Sequence, residues 1–436
     1  MRNIKYRKPE ELERIDMDWL EQIPSDWSRF RAKVMFIQSG KKGNKELTLL
    51  SATQNEGVVP KDTLEGVVQV KEDADLTKFK TVHVGDFVIS LRSFQGGFEM
   101  SDFEGVITPA YTVFRARETI CHRYFKKLFK HDGMISKLNS LTVGIREGKN
   151  IQFEDFANMI IPIPPQIEQR RIAAFLDLKI VRFDSLIDKK ERLIEKLEEA
   201  KKSLIREVIT DGLPSNNGNH DWRSGRVGVH FRIFGGGTPP TEKLSYWDGL
   251  IPWVSSKDMK FDYITDSQDH ITESAIRNSA AKKVPIGAML LVMRSGILRN
   301  KIPVAINRIE VTINQDLKAF IRAGEILPEF LVRFIQGYEN QLLLDWRMQG
   351  ATVESLNLDK IKKTQLRFPD INTQKEILDW ICKKTAQFDI AISKNKKLVE
   401  KYLSARQSLI SEAVTGKIDL RDWELNDESG REEETA

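Results

Sequence analysis

From Gln166 to Asp211, and again from Asn372 to Thr415, the chain runs without a proline or glycine. In both stretches apolar residues recur three and four positions apart: Phe183, Leu186, Leu193, Leu197, Ala200 and Leu204, then Phe388, Ala391, Leu398, Tyr402, Ala405 and Leu409. That alternation is the seam of a coiled coil. It predicts two long helices whose seam residues are Phe183, Leu186, Leu193, Leu197 and Leu204 against Phe388, Leu398, Tyr402 and Leu409, with Lys190 and Asn395 as polar interruptions. About 45 residues at ~1.5 Å each give rods of roughly 65–70 Å. Either rod alone would expose its stripe, so the pattern predicts an antiparallel pair. Prolines sit just ahead of each first turn, where a missing N–H costs nothing, and Asn372 or Thr373 is the expected cap of the second helix.

The two helices are copies of one another. At a fixed spacing of 205 residues, 17 of 47 positions from Pro164 to Thr210 are identical, among them Pro164/Pro369, Gln169/Gln374, Phe183/Phe388, Asp184/Asp389 and Ile187/Ile392. The segments ahead of them are richer in β-branched and aromatic residues and carry turn signals such as SGKKGN at Ser39–Asn44 and FGGGTPP at Phe234–Pro240. They echo one another more faintly. Asp26-Trp27 matches Asp221-Trp222, VGDFVISLRS (Val84–Ser93) matches IGAMLLVMRS (Ile286–Ser295), and LLSATQ (Leu49–Gln54) matches WVSSKD (Trp253–Asp258). The predicted fold is α+β: mixed α/β globules over residues 1–155 and 213–360, alternating with helical regions over 156–212 and 361–418, pseudo-twofold in plan. Residues 419–436 form an acidic tail expected to be solvated and disordered.

Charge sharpens this picture. The net charge is +5, but the last 18 residues carry −6, so the rest carries +11 and favours an anionic partner, nucleic acid first. The longest apolar runs, such as AMLLVM at Ala288–Met293, are far shorter than the ~20 residues that span a bilayer. The start is polar with no apolar h-region, and Cys121 and Cys382 lie far apart, so a cytoplasmic protein with two reduced thiols is expected.

No catalytic constellation emerges. There is no G-x-x-x-x-G-K-[ST] loop, no Asn/Asp-Pro-Pro-aromatic tetrapeptide, and no acid-x-Lys after Pro369-Asp370. The six histidines show no metal-ligand spacing. Neither a catalytic nor a metal site is predicted.

The stretches IPSDW (Ile23–Trp27), IPPQIEQRRIAAFLD (Ile163–Asp177), YWDGLIPWVSSKDM (Tyr246–Met259) and ARQSLISEAVTGKIDLRDW (Ala405–Trp423) resemble the specificity subunits of type I restriction–modification systems. The resemblance covers nearly the whole chain. It implies two target-recognition domains that each read one half of a split, asymmetric double-stranded DNA site, with the helices setting the gap. It also implies two methyltransferase subunits docked on the helices and globule bases, and restriction/translocase subunits beyond them. On that reading this chain is not an enzyme and binds no cofactor; S-adenosylmethionine, ATP and Mg²⁺ belong to the partners. The second copy has Asn372-Thr373-Gln374 where the first has Ile167-Glu168-Gln169, so the shared helix start rests on the glutamine.

Reading DNA needs phosphate anchors and side chains that reach base edges. In the first globule the candidates are Lys41, Lys42, Lys45, Thr53, Gln54, Arg92, Ser93, Gln95, Tyr111 and Arg146. In the second they are Thr238, Ser255, Ser256, Lys257, Arg294, Ser295, Arg299, Asn300, Lys301 and Gln315. Arg92 and Arg294 stand out because they close matching strands. The alternative reading is a coiled-coil scaffold whose globules bind protein.

Overall fold

The computed structural model describes residues 4–43, 46–53, 57–63, 75–90, 96–117, 120–141, 151–214, 221–348 and 353–424. The chain divides into two compact units, Met1–Lys189 with Leu398–Ala436, and Lys190–Lys397.

The first unit runs β1 (Leu12–Met17), β2 (Leu20–Pro24), β3 (Ser28–Arg31), α1 (Ala32–Met35), β4 (Phe36–Ser39), β5 (Leu50–Thr53), β6 (Gly57–Pro60), β7 (Lys80–Val82), β8 (Phe87–Ile89), β9 (Glu99–Met100), β10 (Gly105–Ile107) and β11 (Thr112–Ala116). Then come α2 (His122–Leu128), α3 (Asp132–Ser140), α4 (Phe153–Asn158), β12 (Ile160–Ile163) and the start of the long α5 (Gln166–Asp211). Its main sheet has the order β4-β11-β8-β9, and β3 pairs with β12 at the foot of α5. The core is aromatic. Phe36, Phe87, Phe98, Phe114, Phe125, Phe129 and Phe156 are fully buried, with neighbouring ring centroids 4.9–6.1 Å apart. Edge-to-face pairs of this kind add ~0.5–1.5 kcal/mol each beyond their burial.

The second unit continues with β13 (Arg223–Arg226), α6 (Val227–His230), β14 (Phe231–Gly235), β15 (Trp247–Val254), β16 (Tyr263–Ile264), β17 (Asp269–Ile271), α7 (Glu273–Arg277), β18 (Lys283–Val284), β19 (Met289–Val292), β20 (Val304–Asn307), β21 (Val311–Ile313) and β22 (Leu317–Arg322). It ends with α8 (Pro328–Gly337), α9 (Glu339–Trp346), α10 (Leu358–Lys363), β23 (Gln365–Phe368) and the long α11 (Ile371–Val414). Its main sheet, β14-β22-β19-β20-β16, reproduces the first unit's order with one strand more. The core here is largely aliphatic, around Met289, Leu291, Ile306, Ile335 and Ile361, with Phe320, Phe330 and Trp346 among them.

The faint echoes in the sequence are structural equivalents. The residues after each Asp-Trp form β3 and β13, each paired with the strand that leads into a long helix. VGDFVISLRS and IGAMLLVMRS supply β8 and β19, which hold corresponding places in the two sheets. Leu49 bridges Val106 in parallel, as Trp253 does Thr312.

The glutamine shared by the two helix starts has one job in both. The Gln169 side chain donates to the Pro164 carbonyl (2.9 Å) and accepts the Cys121 N–H (3.1 Å) at the cap of α2. Gln374 donates to the Pro369 carbonyl (2.9 Å) and accepts the Leu327 N–H (2.9 Å) at the cap of α8. Each glutamine thus satisfies an orphan helix N–H and ties a globule helix to a long one. Glu168 is different. It is buried, accepts from Arg7 (2.5 Å) and from the Trp27 indole (3.0 Å), and has Thr373 at the equivalent place.

Within each unit the long helices run antiparallel. In the first, Ile172, Leu176, Ile180 and Phe183 share a core with Leu409, Ile410, Ala413 and Val414, and Arg406 reaches Asp184 at 3.0 Å. In the second, Ile205, Val208 and Ile209 share a core with Ile377 and Ile381, Glu198 meets Lys396 at 2.9 Å, and Lys201 meets Asp389 at 2.5 Å.

Three expectations need correction. The seam is shifted on α5: Leu186 and Leu193 are 41% and 39% exposed, while Ile187 is half-buried and Ile194 buried in their stead. Four residues after Phe183 lies Ile187, and Lys190 and Ile194 continue that face; Leu197 and Leu204 are half-buried beside it. On α11 the expected Phe388, Leu398, Tyr402 and Leu409 do lie on the covered face, with buried Asn395 among them donating to the Ala391 carbonyl at 2.8 Å. The cap of α11 is Asp370, whose carboxylate accepts from Asn372 N (2.9 Å), Thr373 N (3.3 Å) and the Thr373 hydroxyl (2.7 Å). Finally, residues 419–424 are folded and 425–436 lie outside the described residues.

That last segment closes the first unit. Tyr6 bridges Ile418, Arg7 N–H donates to the Lys417 carbonyl (2.9 Å), and Asp419 N–H donates to the Lys5 carbonyl (2.8 Å). The Asp419 carboxylate receives Arg421 (2.9 Å) and Lys5 (2.9 Å); the Arg421 hydrogen bond holds its carboxyl well below the usual carboxylate range. Leu420 is buried and Trp423 stands edge-on to Phe175 at 5.6 Å. Gly416 makes the turn after α11 with φ +74°, against Pro24 and Trp27, where an added Cβ would lie 2.4 Å from the proline ring.

Candidate nucleic-acid interface

In the second unit several loop candidates converge at one end of the main sheet. Met293 N–H donates to the Asp316 carbonyl (2.7 Å), and Ser295 N–H donates to the Glu354 carbonyl (3.0 Å), so the backbone on both sides of Arg294 is pinned. The Arg294 Nε donates to Asp316 Oδ1 at 2.8 Å. Gln315, next along, accepts from the Thr238 hydroxyl, which brings the FGGGTPP loop to the same place. Arg294, Gln315, Asp316 and Lys318 line a cleft of about 560 Å³ with Met293, Met348 and Leu356. The Asn314 N–H meets the Val254 carbonyl (3.0 Å), which sets the Ser255–Asp258 turn beside Gln315.

The other candidates of this unit divide by what their side chains already do. Ser255 is buried with its hydroxyl on Asp258 (3.0 Å), so it shapes the turn instead of facing a ligand. Ser256 is half-buried, and Lys257 is exposed with no ion pair among the described residues. The Ser295 hydroxyl accepts the Ile297 N–H (3.4 Å) and caps the 3-10 turn Gly296–Arg299. Arg299 is largely exposed, 3.9 Å from Glu354, and Asn300 and Lys301 are exposed after it. Their backbone is fixed by Arg347, which donates to the carbonyls of Leu298 (3.1 Å) and Arg299 (3.0 Å).

In the first unit Lys41 and Lys42 present exposed side chains on a pinned backbone, since Thr81 donates its N–H to the Lys41 carbonyl (2.9 Å) and its hydroxyl to that of Lys42 (3.0 Å). The Thr53 hydroxyl turns back to the Gly57 carbonyl (3.1 Å). Tyr111 is half-buried against the Val82–Val113 cluster, and its carbonyl accepts from Lys80 (2.5 Å). Lys80 is spent inside, where burial pushes its amine down. Lys45, Gln54, Arg92, Ser93, Gln95 and Arg146 lie outside the described residues.

Sequence reasoning missed Asp316 and Lys318. The signal was in QDLKAF: Leu317, Ala319 and Phe320 are buried, which leaves Lys318 turned to the cleft side of β22. Among the described residues no group of histidines, cysteines and carboxylates could hold a metal, and no helix is long and apolar enough to cross a membrane.

The profile of the type I restriction modification DNA specificity domain matches twice, over residues 24–199 and 219–400. The chain belongs to the type I restriction–modification specificity family. The specificity subunit of the Escherichia coli enzyme EcoR124I/EcoR124II is 31% identical over 249 residues, which are 56% of this chain and 60% of that subunit. The putative MjaX specificity subunit of Methanocaldococcus jannaschii is 22% identical, over 96% of this chain and 99% of its own length. A solved chain from work on complex assembly and conformational transition of the type I R-M system superposes with a TM-score of 0.63 at 15% identity, covering 91% and 99% of the two chains. The specificity-family fold therefore extends over both units, and each family match holds one globule and most of one long helix.

Proposed function

We propose that this chain is the non-catalytic DNA-reading subunit of a type I restriction–modification complex, with each unit reading one half of a split, asymmetric site. The observation that carries this reading is the duplication itself. Two specificity-domain matches share a sheet order and a glutamine-braced helix start, yet differ in the residues at the loop end of the sheet. Like scaffolds with unlike loops suit two different half-sites, where a symmetric dimer would read two equal ones.

On this reading α5 and α11 set the gap between half-sites. Two methyltransferase subunits and the restriction/translocase subunits dock on the assembly. S-adenosylmethionine, ATP and Mg²⁺ are bound by those partners, and this chain positions them without chemistry of its own.

The test is a methylation map of a genome that carries the complete system. A split motif with unequal halves is expected; a continuous palindrome would overturn the reading. Inserting four residues into both α5 and α11 should lengthen the gap between half-sites or abolish methylation, and unchanged spacing with full activity would remove the helices as the ruler.

A further inference from the structure

The cleft of the second unit holds an arginine whose surroundings suit one kind of base edge. Three observations bear on it. The guanidinium of Arg294 is held through Nε alone, by Asp316 at 2.8 Å, while its side chain remains 56% exposed. Among the described residues nothing else binds its two Nη groups. Asp316 is itself held: its N–H donates to the buried Asn314 side chain at 3.1 Å, whose amide lies 3.5 Å from the other carboxylate oxygen. The backbone of Arg294 is fixed on both sides and bridges Ser355. The result is a planar fork of two N–H groups, set in orientation and open toward the cleft.

We infer that Arg294 reads a guanine in the half-site assigned to the second unit, and that Asp316 is its positioning residue. This inference rests on the DNA-reading function proposed above. A guanine presents two acceptors, N7 and O6, side by side in the major groove, and the Nη fork matches both. An adenine presents one acceptor and one donor, so the same fork would meet a clash of donors. A phosphate contact fits less well, because Asp316 places a carboxylate against the guanidinium and repels an approaching phosphodiester. Lys318, in the same cleft and free of any ion pair among the described residues, is the phosphate anchor beside it. Among the described residues the first unit has no matching carboxylate. Lys318 pairs with Leu291 as Thr112 pairs with the matching Ile89, so the place of Asp316 is taken by Ala110 in the first unit.

The experiment is a motif map of the complete system with wild-type, Arg294→Ala, Arg294→Lys and Asp316→Asn chains, with duplex binding by the purified modification complex alongside. For wild type, replacing one guanine of one half-site should weaken binding roughly 5- to 150-fold. Arg294→Lys should keep methylation but accept other bases at that position, since a lysine retains the charge and loses the fork. Asp316→Asn should blur the same position to a smaller degree. The other half-site should be unchanged throughout. A uniform loss of affinity with an intact motif in Arg294→Lys and Asp316→Asn would overturn the inference and mark Arg294 as a backbone contact. Absence of any split motif in the wild type would instead refute the function on which it rests.

Discussion

Gln374 is completely buried, and each of its two side-chain groups has a backbone partner. Replacing it with alanine strands the Leu327 N–H and the Pro369 carbonyl, at about 1–3 kcal/mol for a buried group left unpaired. We predict that Gln374→Ala lowers the urea midpoint of the second unit, and that Gln169→Ala does the same in the first; unchanged midpoints would mean the helix starts are held by other contacts. This role was half legible in the sequence. The repeat singled out the glutamine, but its partners Cys121 and Leu327 lie 48 and 47 residues away and no pattern names them. Glu168 was less legible still, because its partner Arg7 is 161 residues distant. His131 offers a pH test. It is buried, its Nδ1 accepts the Met134 N–H (3.4 Å), and burial pushes its pKa below the ordinary value. The unfolded chain therefore binds protons that the folded ring resists. The contribution is complete above about pH 6.5 and is lost as pH falls below it. His122 and His230 are lowered by burial too, so they act in the same direction. Chemical denaturation from pH 7.5 to 5 should show falling stability, with a shallower slope for His131→Asn, which keeps a cap acceptor that does not titrate.

The long helices show which part of an element a sequence specifies. Length and apolar periodicity gave their existence, but Leu186-Ile187 and Leu193-Ile194 are adjacent apolar pairs, and either member fits a three-four rhythm. The partner helix decides, and it lies more than 150 residues away. Energetics should follow the structure: Ile194→Ala should cost about 2 kcal/mol or more, whereas Leu193→Ala, exposed by 39%, should cost under ~1 kcal/mol. Equal losses in thermal unfolding would restore the leucines as the seam. The strands were legible for a similar reason and to a similar depth. β8 and β19 lie in matching apolar runs that any reading finds, but their neighbours β11 and β22 are fixed by cores that no local run encodes. The first core centres on seven fully buried phenylalanines among the described residues and the second is mostly aliphatic, which is why the two globules echo each other so faintly.

For the whole molecule, excess positive charge bears on affinity more than on sequence choice. If the exposed Lys41, Lys42, Lys257 and Lys301 and the half-buried Lys318 meet phosphates together with others, binding by the complex should fall by about 10³–10⁵ between ~50 and ~200 mM salt for six to ten contacts. A flat salt response in filter binding would favour the protein-scaffold alternative. The two units also differ in how their chain is supplied. Lys190–Lys397 is one uninterrupted stretch, so expressed alone it should unfold cooperatively by circular dichroism. Residues 1–189 should not, unless residues 398–424 are added in trans. The same layout acts during synthesis. At ~5–20 residues per second, the apolar stripe of Ile172, Leu176 and Ile180 waits roughly 12–48 s for Leu409, Ala413 and Leu420 to leave the ribosome. Over that interval the second unit can finish while the first is still open. The nascent first unit is thus the part of this protein most dependent on chaperones, and a ribosome that stalls near Lys397 releases a chain with one sound half and one half that cannot close.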